Sequence, residues 1–189
     1  MPQPEPEPNP CGPGETYDPT APTGLTATDP IPIIWYKPVW TYFEPLIIQD
    51  HEYIIDEPTH LPLGEPIGVF DRFFPFVGKI MLLRFEEDRG NEARFIAVLT
   101  RYGFNLTAEG LSPDHVQDLM WQGEDRFENL WPLDRGYNEE AGRRQNQNQR
   151  IYYRPDPRRP CALRMSIGRA RQIHHMDDRY YIIRVIQPL

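Results

Sequence analysis

Between residues 31 and 85 the chain alternates short apolar runs with prolines. Ile33-Ile34-Trp35-Tyr36, Val39-Trp40-Thr41-Tyr42-Phe43, Leu46-Ile47-Ile48 and Tyr53-Ile54-Ile55 are β-prone, and Pro38, Pro45, Pro58, Pro62, Pro66 and Pro75 interrupt them. Proline cannot donate to a ladder, so the pattern predicts short or edge strands and extended segments. The aromatics among them are expected in the core. Next, Lys79–Phe85 and Ala93–Leu99 flank the charged stretch Glu86–Glu92. A hairpin around a charged turn suits this pattern, and so does a second run that is a helix ending near Gly103.

Farther on, residues 104–113 read as a loop, Asp114–Trp121 as a strand, Gln122–Glu128 as a loop and Asn129–Leu133 as a second strand. Asn138 opens a helical stretch to about Arg150, whose polarity predicts an exposed helix with one face toward a ligand. Ile151-Tyr152-Tyr153 reads as a strand, Arg154–Pro160 as a loop, and Met165 to about His175 as a short helix. Tyr180–Ile186 is a β-branched, aromatic closing strand. These elements predict an α+β protein. Residues 1–30, dense in Pro, Glu, Thr and Gly, predict an extended or disordered arm. Residues 31–100 form a Pro- and aromatic-rich region, and 101–189 a C-terminal domain.

The 189 residues suffice for one core, or one core with a small appended module. No apolar run approaches a membrane span, and the start has neither a basic nor an apolar signal region. The chain is therefore expected in the cytoplasm of its producer, exported or loaded as cargo without a signal peptide. Cys11 and Cys161 lie far apart, and free thiols are favoured over a disulfide. The net charge of -8 argues against a nucleic-acid partner until its distribution is considered. Residues 1–125 hold 7 Lys+Arg against 21 Asp+Glu, while 126–189 hold 13 Arg against 7 acids. An arginine-only basic half suits bidentate phosphate contacts.

Asp114-His115, Asn129 and Asn138 suit phosphodiester hydrolysis. Histidine deprotonates water near neutral pH. A hard divalent cation on oxygen ligands neutralises the developing charge and stabilises the leaving oxygen. Asp114 offers a carboxylate beside the histidine. Asn129 is placed to orient His115 through its amide, and Asn138 to offer an amide oxygen to the metal from the start of a helix.

Asp114-His115, Gly123, Asn129-Leu130-Trp131-Pro132-Leu133 and Asn138 fall in one register that resembles the HNH endonuclease motif, the ββα-metal fold. The resemblance covers about residues 102–153. It implies His115 as general base, Asn129 as its orienting partner, and Asp114 with Asn138 as metal ligands. Asn138 stands where a ligand histidine is more common, and Gln122 where the loop usually has a second glycine. An Asp/Asn oxygen pair favours Mg2+ or Mn2+ over Zn2+. The wording is similar to toxin-type modules of bacterial polymorphic toxins and of proteins linked to phage-tail-like contractile injection systems. That implies nucleic acid, DNA favoured over RNA, as substrate. It implies an immunity protein or an injection-apparatus component as protein partner. A non-catalytic cargo or adaptor protein is the alternative, with Asn138 then serving as a helix N-cap.

Arg143, Arg144, Arg150 and Arg154 are the expected phosphate contacts. His174-His175 with Asp177-Asp178 reads as a helix end and turn rather than a metal cluster. His51 and His60 receive no role.

Overall fold

A computed structural model describes residues 10–18, 20–37, 39–55, 60–61, 78–83, 89–154, 158–170, 172 and 181–186. In chain order the strands are β1 (Thr16–Tyr17), β2 (Ile31–Ile34), β3 (Leu46–Ile48), β4 (His51–Tyr53) and β5 (Ile80–Leu83). Helix α1 (Gly90–Arg101) follows, then β6 (Leu111–His115), β7 (Leu130–Asp134) and helix α2 (Arg135–Arg143). The chain continues through β8 (Arg150–Tyr153), β9 (Cys161–Ser166) and β10 (Tyr181–Ile186). The protein is α+β.

Proline governs the strands as expected: they are short, and among the described residues they lie in four small sheets. Two are three-stranded, in the orders β1-β9-β8 and β2-β10-β5, and two are the pairs β3-β4 and β6-β7. In the last pair, Pro113 faces Pro132. Two prolines can face each other only at a rung without ladder hydrogen bonds.

Several elements depart from the sequence reading. Val39–Phe43 is a 3-10 turn, not a strand. Its alternation is overridden because Thr41 and Tyr42 are both buried. The run after the charged stretch is helix α1, with Phe95, Val98 and Leu99 buried at helical spacing. The strand expected from Asp114 ends at His115, and Leu119–Trp121 forms a 3-10 turn. Helix α2 starts at Arg135 rather than Asn138, and a π-helical stretch, Arg144–Asn148, extends it. Met165 belongs to β9, and helical residues begin at 167. Residues 173–180, including the His174-His175 and Asp177-Asp178 pairs, lie outside the described residues.

One buried cluster runs from Ile31 to Val185 and contains Trp35, Tyr42, Phe95, Trp121 and Trp131. It crosses the boundary expected between residues 100 and 101. The physical reason is strand β10, which pairs parallel with β2 on one side and antiparallel with β5 on the other.

Part of the expected arm lies along the body. Thr16 and Tyr17 pair with Ala162 and Cys161. Cys11 and Cys161 form a disulfide across 150 residues, with Cα atoms 5.5 Å apart, so the expected free thiols are not what is found. No helix among the described residues is long and apolar enough to cross a membrane.

Candidate functional site

Strands β6 and β7 form an antiparallel hairpin, and α2 follows β7 without a break. Asp134 caps that helix, its Oδ1 accepting from Tyr137 N at 3.0 Å. Asn138 is therefore not the cap. It lies in the second helical turn and its Nδ2 donates to Ser112 Oγ (3.1 Å) and to Pro113 O (3.3 Å) on β6.

Asp114, His115 and Asn138 all line one cavity of about 140 Å³, with Lys37, Arg89, Glu92 and Asp118 also in its wall. Glu92, Asp114 and Asp118 there outnumber the fixed cations Lys37 and Arg89. With His115 neutral the cavity is net negative, and with it charged the two signs balance.

Asp114 is buried and doubly held. Its Oδ1 lies 2.8 Å from Lys37 Nζ, and its Oδ2 accepts from Tyr42 OH at 2.5 Å. The same ammonium reaches Asp118 Oδ1 at 3.0 Å and the carbonyl of His115 at 2.8 Å. Burial disfavours the Lys37 ammonium, but Asp114 and Asp118 outweigh it and raise its pKa. Burial, then the Asp114 charge, pushes the Tyr42 phenol well up, so it stays a donor. Burial raises the Asp118 carboxyl, with Lys37 opposing.

His115 is gripped at both ring nitrogens. Nδ1 lies 3.3 Å from Glu92 Oε1 and Nε2 lies 2.8 Å from Asp125 Oδ1. Burial works to lower its pKa, and the two carboxylates overcome that and raise it. Glu92 is held down in return, mainly by its bond to His115. Asp125 is fixed from behind, because Asn91 N donates to its Oδ2 at 2.8 Å.

The orienting role expected of Asn129 thus falls to Glu92 and Asp125. Asn129 Oδ1 accepts from Gln117 N, and its Nδ2 donates to Gln117 O and Glu124 O, each at 2.9 Å. A buried amide held this way clamps the loop between the strands, with both of its donors spent on loop carbonyls. Gly123 completes the clamp. A Cβ there would stand 2.0 Å from Gln117 O. Gln122 takes the left-handed conformation (φ 63) where glycine is usual, and its Oε1 accepts from Leu82 N at 2.8 Å.

Arg143, which ends α2, and Arg144, which opens the π-helical stretch, lie exposed, both paired with Glu140 at 2.7 and 2.9 Å. Arg150 is exposed on β8. Arg154 is buried, and its guanidinium donates to the carbonyls of Ala21 (3.0 Å) and Asp18 (3.3 Å). It fastens the N-terminal segment and is not placed to meet phosphate.

Sequence reasoning missed Lys37, Glu92, Asp118 and Asp125. Asp125 had a local signal, an acid inside the same loop. Lys37 had a weaker one, a lone charge in the aromatic run Trp35-Tyr36-Lys37. Glu92, on α1, had none.

The residues suit a hard cation. Asp114, Asp118 and Asn138 are oxygen donors on one cavity, and Asp118 Oδ2 is buried with no hydrogen-bond partner among the described residues. A second group, Cys11, Glu15 and Cys161, has the spacing to hold a metal ion, with donor atoms within 4.8 Å of one another. Sulfur binds metal as thiolate, and here the two sulfurs are joined.

Comparison with known protein families, with curated proteins and with solved structures gave no match.

Proposed function

We infer that this chain is an HNH-like, metal-dependent endonuclease that hydrolyses DNA, with RNA as the lesser substrate, and that it acts as a bacterial toxin or effector. The observation that carries this reading is the cavity shared by Asp114, His115 and Asn138, at the junction of a hairpin and the helix that follows it. Asp114 and Asn138 would hold Mg2+ or Mn2+. Bound there, the cation supplies charge stabilisation at the phosphoryl and leaving oxygens.

The chain's own residues divide the remaining work. In the neutral imidazole Asp125 accepts a hydrogen bond from the Nε2 N–H of His115, which leaves Nδ1 as the basic nitrogen, on the side of Glu92, and Glu92 lines the cavity. The Nδ1 contact with Glu92 is the longer of the two, so water enters there and loses its proton to Nδ1. Tyr42 and Lys37 hold the Asp114 carboxylate in place. Arg150 is exposed and would meet a flanking phosphate, and Arg143 and Arg144, also exposed, would exchange Glu140 for one.

The Lys37 ammonium on Asp114 favours a second reading, a non-catalytic adaptor or cargo protein of a contractile injection system that keeps the scaffold and has filled its cation position. Plasmid degradation by purified protein separates the two. The nuclease reading expects cleavage with Mg2+ or Mn2+ and its loss in His115→Ala. Wild-type protein inert with Mg2+, Mn2+ and Zn2+ would leave the adaptor.

A further inference from the structure

The Lys37 ammonium sits where a small cation would. Three oxygens surround it: Asp114 Oδ1 at 2.8 Å, Asp118 Oδ1 at 3.0 Å and the His115 carbonyl at 2.8 Å. Carboxylate and carbonyl oxygens are also what hard divalent cations take. Two carboxylates share this one ammonium, Arg89 is the other cation that acts on Asp118, and Asp118 Oδ2 is buried without a hydrogen-bond partner among the described residues. A buried carboxylate oxygen with no partner is costly, and a cation beside it removes the cost.

We propose that Asp118 is a ligand of the divalent cation, beside Asp114 and Asn138, and that the Lys37 ammonium is an internal competitor that sets the cation's affinity. The proposal rests on the nuclease reading of this cavity and adds a ligand and a control residue that the reading does not require. The lysine stem has four rotatable bonds, so its head can withdraw while the backbone stays fixed between buried Trp35 and Tyr42. A cation must win at least one carboxylate from the ammonium. Occupancy is therefore weaker than a bare two-carboxylate site would give, and doubly charged ions are selected over singly charged ones.

Mn2+ binding to the full chain tests this directly, by calorimetry and by electron paramagnetic resonance of free Mn2+. Lys37→Met is expected to bind Mn2+ about tenfold more tightly or better, and Asp118→Asn about tenfold more weakly, the scale of one nearby charge on a bound state. Lys37→Met leaves two buried carboxylates facing each other, so its melting point in chelator is expected to fall. Mn2+ should then raise that melting point by more than it raises the wild type's. Lys37→Met/Asp118→Asn restores charge balance and serves if the single variant does not fold; it is expected to bind Mn2+ at least as well as Asp118→Asn alone. Equal affinities in wild type and Lys37→Met, or no binding to any of the proteins, overturn the proposal. DNA cleavage is scored separately. A wild type that cuts no DNA while Lys37→Met gains Mn2+ sinks the nuclease reading alone. Cleavage that needs His115, with Mn2+ affinity indifferent to residues 37 and 118, sinks this proposal alone.

Discussion

His115 is charged most easily when both its neighbours are ionised, and that sets a pH window. Its folded pKa is raised, so the stability it contributes is complete below the ordinary imidazole value of 6.5 and is lost as pH rises through the folded value. Glu92 has a depressed folded pKa, so its contribution is present above the ordinary 4.5 and is lost as pH falls through the folded value. The pair stabilises most between those two ordinary values. Urea midpoints measured from pH 3 to pH 8 should show a shoulder in that window for wild type and a flatter curve for Glu92→Gln. On the nuclease reading, Asp125→Asn should cost more than Glu92→Gln, by about tenfold or more in kcat, since Asp125 makes the shorter contact to His115 and sits opposite the basic nitrogen. Steady-state rates on a plasmid substrate check the order, and a larger loss in Glu92→Gln would reverse the assignment. That Asp114, His115 and Asn138 share one cavity was legible because they sit in one short run of sequence. Their partners were not, because Lys37 is 77 positions before Asp114 and reaches it only through the fold.

At the scale of elements, the loop between β6 and β7 decides whether the site keeps its shape. Gly123→Ala would drive a Cβ into the Gln117 carbonyl, 2.0 Å away, and backbone cannot yield as a side-chain tip does. A loss of about 2–3 kcal/mol is expected, the range for overpacking in a tight site. Chemical denaturation measures it, and a neutral result would mean that the loop is not clamped as described. β1 and β9 were not legible, while β2, β3, β5, β7, β8 and β10 were legible in outline from their apolar, β-prone runs, and α2 from its polar stretch. Their edges were not. Asp134 competes with Asn138 for the cap and wins because it alone meets Tyr137 N, which spacing could not decide. The Val39–Phe43 run reads as strand by propensity, and tertiary burial of Thr41 and Tyr42 overrides it.

For the whole molecule, the buried cluster of the described residues crosses the boundary expected near residue 100, because a strand's partners are not written in its own sequence. The closing strand was plain, but nothing in Tyr181–Ile186 says that it lies between residues from 31–34 and from 80–83. The Cys11–Cys161 link adds a covalent tie between the N-terminal segment and β9. Reduction, or Cys11→Ser, is expected to cost about 2–5 kcal/mol, the usual range for losing a native disulfide. Denaturant midpoints with and without dithiothreitol report it, and coincident curves would show that the link adds nothing. The placement of β10 bears also on when the cavity comes into being. Lys37 follows directly from β2, and β2 is held by a strand 150 residues later in the chain. Closing so long a loop is slow compared with forming a hairpin or a helix. The hairpin and α2 can therefore form early while Asp114 still lacks its ammonium, and an incompletely folded chain carries the motif without the finished site.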